Sequence, residues 1–135
     1  FVVCRSLLHH LDQPELGLME MYRVLKPGGK WVCWDPNQGL LHDLFRKVFQ
    51  STNRFSHLHK SFNDSQLYKM IEGAGFKITE KRYIGYLAYP LLGFPDIVKF
   101  PIPIGLGRKL IRVDDMISKT PLKKFSWSLM VKGEK

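Results

Sequence analysis

A chain of 135 residues, 44% hydrophobic and 24% charged, is long enough for one domain with a buried core and is neither a disordered tail nor a low-complexity repeat. Its two cysteines, Cys4 and Cys33, lie far apart inside apolar runs, which excludes a disulfide framework, a zinc knuckle and a redox pair and reads as buried reduced thiols of a cytoplasmic protein. The net charge of +9 gathers late, in Arg108, Lys109, Arg112, Lys119, Lys123, Lys124, Lys132 and Lys135; without an aromatic–basic signature it reads as a solvated face, with nucleic-acid binding the weaker alternative.

Phe1–Arg5 is an apolar strand, too short and without the basic lead-in of a signal peptide. After the loop from Ser6 to Leu11, Asp12 and Glu15 have the spacing of a capping box, with Pro14 tolerated in the first turn. Leu18, Met21, Tyr22 and Leu25 then mark one helical face, Arg23 and Lys26 suit the dipole at its end, and Pro27-Gly28-Gly29 stops it. Trp31-Val32-Cys33-Trp34, within a strand from Lys30 to Asp35, is a continuous apolar run, as in a parallel strand covered on both faces. Strand, helix and strand at this spacing form a βαβ unit.

Leu41, Leu44, Phe45 and Val48 predict a further helix, and a polar loop from Ser51 to Phe62 carries His57 and His59. That His-x-His pair lacks an evident third ligand, so no metal is expected there. Asn63 and Gln66 form a second capping box before a helix whose apolar face is Leu67, Met70, Ile71 and Ala74, ended by Gly73 and Gly75. Phe76–Tyr86 reads as a strand, 89–107 as an irregular Pro- and Gly-rich stretch, and Leu106, Leu110, Val113 and Ile117 as the face of one more helix. Four prolines and two charges interrupt the apolar region from Tyr86 to Gly107, so no membrane-spanning helix is expected. Alternation from Phe125 to Lys132 predicts a last strand.

Leu8-His9-His10-Leu11-Asp12, then Glu20, then Arg23-Val24-Leu25-Lys26-Pro27-Gly28-Gly29 before an apolar strand, resembles the class I S-adenosylmethionine (SAM)-dependent methyltransferases of the ubiquinone-biosynthesis type. Ala74-Gly75-Phe76 and the closing strand resemble them too. The resemblance implies an α/β fold: the carboxyl-terminal half of a Rossmann-like seven-stranded sheet, with order 4-5-7-6 and the last strand antiparallel. Residues 1–135 would be a partial methyltransferase domain without its amino-terminal cofactor-binding half, and 87–124 an insertion that covers substrate. The glycine-rich loop and the ribose-binding acid of the family have no counterpart here. Gly28-Gly29 is a helix stop, and Gly105-Leu106-Gly107 follows no strand.

Ligands of open α/β sheets sit beyond the carboxyl ends of the strands. By resemblance, Arg5, Ser6, Leu7 and His10 would line the methionine and methyl end of SAM, and His10 could act as a general base, since imidazole titrates near neutrality. Which of the adjacent His9 and His10 faces the rim stays open. Asp35 is either a functional carboxylate or the turn residue before Pro36; with Asn37 and Tyr86 it forms the candidate substrate-binding set. The aromatic residues Tyr83, Tyr86, Tyr89, Phe94 and Phe100 suit a small apolar or amphipathic acceptor, or pack the insertion itself. The first strand, lacking a neighbour, would expose an apolar edge that favours self-association. An inactive remnant serving as an interaction module is the alternative function.

Overall fold

The computed structural model describes residues 1–38, 62–88 and 102–135. The expected helix at Leu41–Val48, the His57/His59 loop, Tyr89, Phe94 and Phe100 lie outside the described residues. In chain order the elements are β1 (Val2–Arg5), α1 (Pro14–Val24), β2 (Lys30–Pro36), α2 (Asp64–Gly73), β3 (Lys77–Ile84), α3 (Ile104–Ile117) and β4 (Ser128–Glu134). Short 3-10 turns occupy Leu8–His10 and Pro121–Phe125. The sheet order is β1-β2-β4-β3, with β1 and β2 parallel and β4 antiparallel to both its neighbours, the arrangement expected for strands 4-5-7-6.

Register assigns each side chain to a face. Cys4, Cys33, Val131 and Lys81 stand in one row across the sheet, and Arg5, Trp34, Met130 and Arg82 in the next. Successive residues alternate sides, so the two rows lie on opposite faces. The first face packs on α1 and α2 through Leu18, Trp31, Leu67, Ile71, Leu129 and Val131, all fully buried. Each buried Leu or Ile contributes roughly 1.5–3 kcal/mol of transfer free energy. The second face is more open: Val3 and Arg5 are exposed, and Trp34 and Met130 are half-buried.

The helix ends show which local signals hold. The α2 box forms as expected: Asn63 Oδ1 accepts from the Gln66 amide at 2.8 Å, and Gln66 Oε1 accepts from the Asn63 amide at 3.1 Å. Gly75, at φ +95°, then turns the chain into β3; a Cβ there would lie 3.1 Å from the Tyr22 ring. The α1 cap does not fall at Asp12. Proline disfavours helical geometry in the residue before it, so Gln13 sits at φ −128° and becomes the cap without a side-chain bond. At the other end of α1, Arg23 pairs with Glu20 on the surface. The cation that meets the helix end is Lys135, whose Nζ donates to the carbonyls of Tyr22 (2.7 Å) and Leu25 (2.8 Å).

Two expectations shift. β4 begins at Ser128 because Pro121 opens a 3-10 turn that runs to Phe125. α3 is rotated from its predicted face: Leu106 and Val113 are exposed, while Gly107 and Asp114 are buried. Asp114 is drawn inward because its carboxylate accepts from the amides of Leu87 (2.8 Å), Tyr86 (2.9 Å) and Ala88 (3.2 Å). Three charge-assisted bonds outweigh the burial of two aliphatic side chains left at the surface.

Candidate functional site

The carboxyl ends of β1, β2 and β3 meet the start of β4 along one rim. The ladder continues one residue past β1, where the Ser6 amide donates to the Trp34 carbonyl at 2.7 Å. Ser6 then takes φ 48°, the one non-glycine residue with positive φ among the described residues. A left-handed backbone costs a side-chain-bearing residue about 1 kcal/mol or more, so the bend is held by its surroundings. It swings Leu7 to the surface, 48% exposed, and delivers the 3-10 turn that carries both histidines.

The structure separates the two histidines. His9 is buried and His10 is exposed, with their rings 3.9 Å apart. His9 Nδ1 lies 2.7 Å from Asp35 Oδ1, and the same oxygen accepts the His9 amide at 3.2 Å. A carboxylate oxygen in this position is matched by the His9 tautomer that carries its proton on Nδ1. Cys33 Sγ donates to the other Asp35 oxygen at 3.6 Å. Asp35 is thus a fully buried carboxylate at the end of β2, bracing the turn after β1 from beneath.

Cys4 and Cys33 face each other in register beside that carboxylate, as free thiols. Their hydrogen bond holds the Cys33 thiol well above the usual range, with burial adding to the effect, and it lowers Cys4. Both sulfurs and an Asp35 oxygen lie within 4.8 Å of one another. Cross-strand register brings the two sulfurs together, and the Cys33 thiol's bond brings in the Asp35 oxygen.

Asn37 and Tyr86 tie neighbouring segments to the rim. Asn37 Nδ2 donates to the Ser126 carbonyl and Oγ, both at 3.1 Å, and to the Lys124 carbonyl at 3.3 Å. The Tyr86 hydroxyl donates to the Lys123 carbonyl at 3.1 Å. Its pKa is pushed up to about 12, by burial first and then by the Asp114 charge. Arg5, Ser6, Leu7 and His10 therefore come together at the rim, whereas Asp35, Asn37 and Tyr86 are buried with polar atoms turned to the protein.

Sequence reasoning does not find the His9–Asp35 pair or the role of Asp114. The parity of Trp31, Cys33 and Asp35 was the available signal for the first, because i, i+2 and i+4 place the acid on the buried face. Trp34, in the run expected to be covered on both faces, lies under the Arg5 guanidinium at 4.8 Å and lines a groove on the open face.

Comparison with known proteins gives this arrangement a family. A demethylmenaquinone methyltransferase of Lysinibacillus sphaericus is 34% identical over 100 residues, covering 59% of this chain and 43% of that protein. The chain thus spans less than half the length of that curated relative. A SAM-dependent methyltransferase of Thermotoga maritima shares the fold at TM-score 0.60 and 18% identity, covering 98% of this chain and 54% of that one. One from Archaeoglobus fulgidus does so at TM-score 0.56 and 15% identity, covering 98% and 57%. The methyltransferase domain pattern matches residues 1–81, from β1 through most of β3, and with more than half of its length matched the chain belongs to the methyltransferase domain family.

Proposed function

We propose that this chain supplies the carboxyl-terminal part of a methyltransferase active site and moves a methyl group from SAM to a small apolar or amphipathic acceptor. The observation that carries the reading is the rim: Arg5, Leu7 and His10 exposed around the Ser6 bend, on a turn clamped by the buried Asp35–His9 pair. SAM is the cofactor that goes with this family. What supports the methionine end here is the exposed apolar Leu7, two residues along the chain from Arg5, and the backbone bend at Ser6. No glycine-rich loop after a strand stands among the described residues, so the adenosine side falls to the remainder of the protein.

The cofactor supplies an electrophilic methyl group on a sulfonium. The chain's own task is alignment, which is worth several orders of magnitude in effective concentration. Arg5, Ser6, Leu7 and His10 border the transfer point, and His10 takes a proton from an acceptor that must lose one. Asp35 acts through His9 as a positioning residue. Asn37 and Tyr86 hold the segments on either side of the acceptor space. In this reading α3 covers that space, presenting Ile104, Leu106, Ile111, Val113 and Met116 as exposed apolar side chains. The relative named for demethylmenaquinone supports an apolar acceptor.

The test uses the protein extended upstream of Phe1 along its own reading frame. Leu7→Asp should weaken S-adenosylhomocysteine binding by about tenfold or more, since a charge would meet the sulfur end of the ligand. Unchanged affinity would remove the rim from the cofactor site. An extended protein that binds neither form of the cofactor would favour an interaction module over an enzyme.

A further inference from the structure

Arg5, Trp34, Met130 and Arg82 stand directly opposite one another across the four-stranded sheet. All four line one groove of about 940 Å³ beside α3. At ~4.8 Å per strand interval the row is roughly 14 Å long. Trp34 and Met130 form its floor and a guanidinium stands at each end. Such a volume above an apolar floor, here rimmed by charged side chains, is a usual form of a small-molecule site.

The two guanidiniums are not equivalent. Arg82 is paired with Glu80, which Lys132 also holds. Arg5 has no ion pair among the described residues and is held instead by the Trp34 ring at 4.8 Å. A guanidinium stacked on a ring is fixed in orientation and keeps its N–H edge for a planar anion. The remaining charges favour an anion too. Lys81, Lys119 and Lys123 line the same groove against the single unspent carboxylate of Asp115, since the Asp114 carboxylate is taken up by three backbone amides.

We propose that this groove binds a small aromatic carboxylate, its carboxylate forked by Arg5 and its rings laid over Trp34 and Met130. The proposal rests on reading the rim as the methyl-transfer end, where Arg5 stands between rim and groove, and it names the chemical class of the acceptor.

The probe is 2-naphthoate, with 2-naphthamide as a neutral molecule of the same shape, titrated calorimetrically into the 135-residue chain without SAM. Naphthoate should bind about tenfold more tightly than the amide, as expected for charge-assisted hydrogen bonds. Arg5→Gln, an exposed substitution, should erase that difference and leave the amide unchanged. Raising the salt should weaken naphthoate alone. Equal affinities, or an advantage that survives Arg5→Gln, would overturn the proposal. So would loss of naphthoate binding in the upstream-extended protein, because the protein's own chain would then fill the groove. SAM binding by the extended protein is read separately. Binding of SAM without naphthoate sinks this proposal alone, and binding of naphthoate without SAM sinks the methyl-transfer reading.

Discussion

Asp35→Asn removes one charge from the centre of the site and changes almost no volume. In the native chain a single oxygen, Oδ1, takes both His9 donors, at 2.7 and 3.2 Å, while Oδ2 takes the Cys33 thiol at 3.6 Å. An amide has one oxygen for these two sides. Turned to His9, it converts two charge-assisted bonds into neutral ones and sets its NH2 against the Cys33 S–H. Turned the other way, it opposes its NH2 to the His9 donors. Losing about 1 kcal/mol at each His9 bond gives a destabilisation of about 2 kcal/mol. For a domain of this size that lowers the thermal midpoint by roughly 6–10 °C. Urea unfolding at low temperature, followed by far-UV circular dichroism, measures the change. A double-mutant cycle with His9→Gln should return a coupling of about 1 kcal/mol or more. Wild-type stability to within about 0.5 kcal/mol, or a coupling near zero, would refute the claim that Asp35 holds the rim through His9.

Asp114→Ala leaves three backbone donors without their acceptor and should cost roughly 2–3 kcal/mol; hydrogen exchange at Tyr86, Leu87 and Ala88 should accelerate together, and unaltered protection would contradict the clamp. Tyr86 has a folded pKa of about 12, above the value near 10 of an unfolded tyrosine. Its contribution to stability is therefore complete below pH 10 and is lost as the pH rises toward 12; urea midpoints at pH 9 and 11 should converge in Tyr86→Phe more than in the wild type. The β1 edge, with Phe1 80% and Val3 61% exposed, should make the isolated chain associate with concentration; light scattering should show Val3→Lys shifting it toward monomer, and a wild-type monomer at every concentration would count against this.

What could be read from the sequence follows how far apart the interacting groups are. The Asn63–Gln66 box spans three residues and forms as written. The Asp12–Glu15 box has the same spacing, but Pro14 acts on the residue before it and moves the cap to Gln13. The sheet order came from the resemblance, since periodicity finds strands without ordering them. The rotation of α3 was hidden because the amides that draw Asp114 inward lie 26–28 residues away. Lys135 reaches carbonyls 110 and 113 residues distant, and Asp35 meets His9 across 26. Chain direction alone places Arg5–His10 on the rim. The burial of Asp35, Asn37 and Tyr86 could not be read the same way, because it depends on segments from elsewhere in the chain.

The central claim, that this chain contributes part of a divided SAM site, is tested most directly by calorimetric titration of S-adenosylhomocysteine into the 135-residue chain and into the upstream-extended protein. The extended protein should bind and the 135-residue chain should not. Micromolar binding by the 135-residue chain would contradict it, because the rim from Arg5 to Asn37 would then hold the cofactor without a glycine-rich loop.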